Sequence, residues 1–151
     1  MKDLIPTINE IIKFGLYPSL SETNKETLLE KNLIKIYSLY FDITYTFDKA
    51  KYPDFNKKQF RNVQKNVESN FKDFGFYKII LDIQNIDGLQ ESALGDAIDD
   101  LSDIILDLLE IKWRINNNSL NDGLWYFKFI FHAHTQEHII GLLNFMKQKN
   151  T

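Results

Sequence analysis

The sequence predicts an all-α protein, a single-domain bundle of about five helices spanning residues 1–151 with its C-terminal helix buried. Three observations support this. Between Gly95 and Glu110, apolar residues recur with helical period: Ala97, Ile98, Leu101, Ile104, Ile105, Leu108 and then Ile111 share one arc. From Leu124 to Phe145 the chain is apolar on nearly every helical face, as in a central, buried helix. All three prolines (Pro6, Pro18, Pro53) lie in roughly the first third, so no proline downstream interrupts helices of this length.

A first short helix is expected from near Pro6, suited to a first-turn position, to Phe14, broken by Gly15-Leu-Tyr-Pro-Ser19. A second starts near Ser21 or Thr23 and runs through Leu28, Leu29, Ile36 and Leu39 toward Phe41. The stretch Phe41–Phe47, rich in β-branched and aromatic residues, reads as helix continuation or strand, and helix is the expectation adopted. Phe47 to Phe55 reads as a loop. A third helix follows from Phe60, Val63, Val67 and Phe71. Phe74 to Leu81 fits a short strand or an extended connector, and Asn85-Ile-Asp-Gly88 is a turn. The fourth helix is expected from Gly95 to the Asn116-Asn-Asn118 run. The fifth opens at Ser119, with Asp122 three residues on approximating a capping box, and continues to about Lys147, where Lys147 and Lys149 suit the negative end of the helix dipole.

Composition narrows the function. Apolar residues make up 44% and aromatics 14% of the chain, with 12 Phe and 7 Tyr, which is ample core material. There is no cysteine, so disulfides, thiolate zinc sites and Cys nucleophiles are excluded. The N-terminus lacks a signal-peptide pattern and no apolar run is long enough to span a membrane, giving a cytoplasmic expectation. The net charge is −3, against direct nucleic-acid binding. Its distribution is uneven. Lys57, Lys58, Arg61, Lys65 and Lys72 precede a stretch, Asp82 to Glu110, with nine carboxylates and no Lys or Arg. On the fourth helix Asp96, Asp99, Asp100, Asp103, Asp107 and Glu110 share an arc of roughly 100°, opposite the apolar one. Like charges at i,i+4 cost about 0.2–0.5 kcal/mol per pair, so an outward face of one sign suggests a basic partner.

His134 and His138, at i,i+4, project from one helical face as in zinc-binding helices. Phe127, Phe131, Leu142 and Phe145 share that face, so both rings are expected in apolar surroundings. A catalytic metal needs at least a third protein ligand. The spacing supplies none: Glu137 lies about 100° around the helix, the acids of the fourth helix point away, and only Asp42 or Asp48 would reach in from the second helix. No tightly bound metal and no cofactor are therefore expected, and the histidines read as core residues donating hydrogen bonds to carbonyls or carboxylates. No Gly-rich phosphate loop, Gly-x-Ser-x-Gly or His-Glu-x-x-His motif occurs, and no catalytic residue stands out.

The pieces Gly95-Asp-Ala-Ile-Asp-Asp-Leu-Ser-Asp-Ile104, Asp107-Leu108, Leu124-Trp-Tyr-Phe127 and His134-x-x-x-His138 resemble a family of uncharacterised bacterial helical domains. The resemblance covers about Gly95 to Phe145 and implies a helical fold, with no established activity. By role alone, a small, acidic, cysteine-free chain is similar to the immunity proteins that neutralise nuclease toxins. The leading expectation is thus a non-enzymatic protein-binding module, an immunity protein presenting Asp96, Asp99, Asp100, Asp103, Asp107 and Glu110 to the basic substrate cleft of a toxin. The alternative is a metal-dependent helical enzyme or sensor using His134, His138 and one carboxylate.

Overall fold

The computed structural model describes residues 1–88 and 91–151. Six α-helices and one hairpin follow in the order α1 (Leu4–Leu16), α2 (Lys25–Asp42), α3 (Val63–Asn70), β1 (Phe76–Ile80), β2 (Ser92–Asp96), α4 (Ala97–Asn117), α5 (Leu120–Ile130) and α6 (Gln136–Lys149). A 3₁₀ turn (Lys57–Phe60) precedes α3, and a π turn (Phe131–Thr135) joins α5 to α6. The helical bundle expected from the sequence is what forms. No helix among the described residues is long and apolar enough to cross a membrane.

The centre of the bundle is α4, which packs against α1, α3, α5 and α6. Its apolar arc, Ala97, Leu101, Ile104, Ile105, Leu108 and Ile111, is fully buried. The expected central position of the last helix therefore passes to α4. Phe127, Phe131, Ile139 and Leu142 of the last helical stretch are buried against it, but Phe129 and Ile140 are more than half exposed. Each fully buried aliphatic or Phe side chain contributes about 1.5–3 kcal/mol. With the four neighbours of α4 coming from both sides of it in sequence, that burial ties the chain into one core.

Caps explain where the helices begin. Ser119 Oγ accepts a hydrogen bond from the Asp122 amide at 3.0 Å, so α5 starts where its N-cap predicts. The fourth helix starts two residues later than expected. Asp96 is its N-cap, its carboxylate accepting from the Ile98 amide at 2.9 Å, and Gly95 lies in β2. That strand pairs antiparallel with β1, Tyr77 facing Gly95, which resolves Phe74–Leu81 in favour of a strand. The helix expected through Phe41–Phe47 is not formed: α2 ends at Asp42, and residues 43–56 run without regular structure over α5. Specific bonds replace the helical ones there. The Thr46 amide donates to Asn121 Oδ1, Asp48 accepts from the Tyr52 and Ser119 hydroxyls, and Phe47 packs edge-on to Trp125.

Candidate metal centre

Along α4, Asp100, Asp103 and Asp107 lie at i, i+3 and i+7, on the side of the helix that meets the π turn and α6. The π turn supplies His134 and Thr135, and the next helical turn supplies His138. Asp107 Oδ2 lies 2.8 Å from His134 Nδ1 and accepts from the Thr135 hydroxyl at 2.7 Å. Asp100 Oδ1 lies 2.7 Å from His138 Nδ1, and its second oxygen accepts from the Tyr77 hydroxyl. The two Nε2 atoms turn toward each other, 3.1 Å apart, and Asp103 Oδ2 is 3.5 Å from His138 Nε2. One ligand atom each from Asp103, His134 and His138 fits within 4.8 Å.

The protonation pattern follows from these contacts. Carboxylates on both Nδ1 atoms call for an N–H there, which leaves each Nε2 with its lone pair facing the other. Two lone pairs at this separation repel unless a cation sits between them. A proton shared between the two Nε2 atoms would meet that need, and the Asp100 hydrogen bond raises the His138 imidazole above its ordinary pKa, against burial, with the Asp100, Asp103 and Asp107 charges adding to the rise. Burial pushes the Asp107 carboxyl up, and the bonds from His134 and Thr135 pull it back. Burial, then Asp100, likewise pushes the Tyr77 phenol up, so it stays a donor.

A divalent ion would occupy the same place. Zn–N and Zn–O bonds near 2.0–2.2 Å put tetrahedral ligand atoms about 3.3–3.5 Å apart. Two of the three separations, 3.1 Å and 3.5 Å, lie near that spacing, and the Asp103–His134 pair is wider, within 4.8 Å, so Asp103 would have to close on the ion. The Nδ1–carboxylate contacts match the outer partners that fix the orientation of metal-bound histidines. The side chains of His134 and Asp103 are 42% and 36% exposed, so the locus is open to solvent, whereas Asp107 beneath it is 2% exposed.

These positions correct the sequence reading in three respects. The six carboxylates expected on one outward face divide: Asp99 is exposed and Asp96 and Asp103 are half-exposed, but Asp100, Asp107 and Glu110 are buried. A central helix has neighbours on its polar side too, and those neighbours bring donors. Glu110 accepts from Arg114 and from the Tyr126 hydroxyl, as Asp100 and Asp107 do from the histidines, Tyr77 and Thr135. Second, the histidines pair with carboxylates, as expected of hydrogen-bonding histidines, but they are half-exposed rather than largely buried, and Phe127, Phe131 and Leu142 turn away into the core. Third, the carboxylate placed beside the two histidines is Asp103 of α4; Asp48 is engaged with Tyr52 and Ser119 instead.

The π turn explains the second correction, and the sequence contains its signal. The buried positions Phe127, Phe131, Thr135 and Ile139 step by four residues three times running. In a regular α-helix each such step overshoots a full turn by about 40°, roughly 120° in sum. One wider turn absorbs the overshoot and keeps those residues on the core side, while reorienting His134 and Thr135 toward Asp107. Such π bulges are frequent at functional sites. No family model, no curated protein and no solved structure matches this chain.

Proposed function

We propose that this protein binds one divalent transition-metal ion of the zinc class through His134 Nε2, His138 Nε2 and the Asp103 carboxylate. The observation behind this reading is the pair of imidazoles whose Nδ1 atoms are each tied to a carboxylate while their Nε2 atoms meet at 3.1 Å. Buried Asp107 and Asp100 orient the rings, and Asp103 completes a three-ligand set. Closed structural zinc sites take four protein ligands, whereas catalytic ones take three and leave a position for water or substrate. An exposed three-ligand site therefore favours a metal-dependent enzyme or sensor, in which the ion would activate a bound water or polarise an incoming oxygen.

Titration calorimetry of chelator-treated protein with Zn²⁺ tests the reading. One equivalent should bind, and His134→Ala, His138→Ala and Asp103→Asn should each weaken binding by more than the ~10–100-fold typical of losing a ligand's outer partner. Absence of uptake of Zn²⁺ or Co²⁺ at micromolar concentration would overturn it.

A second reading, docking to a basic protein such as a nuclease toxin neutralised by an immunity protein, is favoured by a separate observation. Asp99 is exposed with Asp96 and Asp103 half-exposed beside it, and after burial it is the charges of Asp103, Asp96 and Asp100 that push the Asp99 carboxyl above its usual range. A basic partner would relieve that crowding, engaging Asp96, Asp99 and Asp103. Asp100, Asp107 and Glu110 are committed to internal partners.

A further inference from the structure

We infer that Tyr77, on the hairpin, is a positioning residue for the metal centre, acting on His138 through Asp100; this rests on the metal-binding reading above. The Asp100 carboxylate is buried, and its two oxygens are divided between two donors: Oδ1 faces His138 Nδ1 at 2.7 Å and Oδ2 accepts from the Tyr77 hydroxyl. A carboxylate held at both oxygens cannot rotate about its Cβ–Cγ bond without breaking one of them. The plane of Asp100 thus sets the plane of the His138 ring, and that ring aims Nε2 at the ion.

Two independent features of the fold clear the path for this hydroxyl. On β2, Gly95 sits opposite Tyr77, and a Cβ there would lie 2.5 Å from the ring carbon that bears the hydroxyl. On α6, a Cβ at Gly141 would lie 2.7 Å from the Tyr77 oxygen and 3.7 Å from Asp100 Oδ2. Glycines on two different elements therefore form a slot through which the phenol passes from the hairpin to α4. Phe145 packs against the same ring, with centroids 5.5 Å apart, and the Ala97 amide donates to Gly75 O at 3.1 Å, fixing the base of the hairpin to the start of α4. The hairpin, whose outer residues Phe76, Ile80 and Leu94 are exposed, thus sends the Tyr77 hydroxyl to Asp100 of α4.

Tyr77→Phe keeps the ring and removes only the hydroxyl; Gly141→Ala keeps the phenol and presses on its oxygen. Tyr52→Phe is the control, because it removes a phenol–carboxylate bond, to Asp48, that has no link to the histidines. Zn²⁺ affinity is measured by competition with a chromophoric chelator, and ¹⁵N NMR reads the His138 ring in the metal-free protein. Tyr77→Phe and Gly141→Ala should each weaken Zn²⁺ binding by about tenfold, the low end of the range for outer partners. Both should also shift the His138 ring nitrogens, while Tyr52→Phe changes neither. Wild-type uptake of Zn²⁺ with Tyr77→Phe within twofold of it, and unchanged His138 signals, would overturn the inference and leave the metal site standing. If wild type takes up no Zn²⁺, the metal-binding reading fails. The inference about Tyr77 as a metal-site residue falls with it, and the metal-free spectra then show separately whether Tyr77 holds the His138 ring: unaltered His138 signals in Tyr77→Phe refute that hold as well.

Discussion

Thr135→Val isolates one hydrogen bond on which the π turn and the candidate site both depend. Thr135 is fully buried, and its hydroxyl donates to Asp107 Oδ2 at 2.7 Å, with a longer contact to Ile130 O at 3.4 Å. Valine reproduces the shape and deletes the donor. Asp107, itself 2% exposed, then keeps only His134 of its two donors. A hydrogen bond to a charged group is worth about 1.5–3 kcal/mol, so urea unfolding at neutral pH should show a loss of that size. In a thermal scan the same loss corresponds to a fall of about 3–12 °C, at 2–4 °C per kcal/mol for a chain of this length.

The pH dependence provides a second check. Burial raises Asp107 in the folded protein, and such a group contributes stability that is present below its unfolded pKa and lost as pH rises through its folded pKa. Deleting the Thr135 bond raises Asp107 further, so the variant should lose more over that rise. The stability gap between wild type and Thr135→Val should therefore widen from acid pH toward neutrality. A gap under about 0.5 kcal/mol, the ordinary range of inconsequential surface changes, would refute the argument. So would a gap that narrows as pH rises.

Gly123→Ala should destabilise the protein by about 1–2 kcal/mol in urea unfolding. Its Cβ would meet Ile115 Cγ1 at 2.2 Å and the Ile115 backbone nitrogen at 2.9 Å, an overpacking cost of roughly 1–3 kcal/mol that exceeds the gain of up to about 1 from helix propensity. Phe131→Ala, at a fully buried position stacked on Tyr40, should cost about 3–5 kcal/mol by the same measurement. Asp99→Asn, on an exposed side chain, should change stability by no more than about 0.5 kcal/mol. If a basic protein docks on this face, surface plasmon resonance should show slower association for Asp99→Asn at low salt and little difference at high salt.

Short-range periodicity was enough to reveal the helices. The apolar arc of α4, the Ser119 cap and a break after the first helix, found at Tyr17 to Ser19 rather than from Gly15, were legible because each depends on neighbours within one or two helical turns. The i,i+4 spacing of His134 and His138 was equally legible, as was the run of carboxylates on α4. Which carboxylates face solvent was not. A helix pattern divides polar from apolar arcs, but it does not say whether the polar arc meets water or another helix. Only the central packing of α4 buries Asp100, Asp107 and Glu110 and matches each to a donor distant in sequence, on the hairpin, the π turn, α5 or α6. The same holds for the chain at Ile43 to Asn56, where bonds to α5 prevail over local propensity. The histidine pair could be read from the sequence, while the carboxylate beside it and the Tyr77 slot exist only where separate elements meet. Metal coordination depends on distances of a few ångströms between such elements, and packing alone sets those distances.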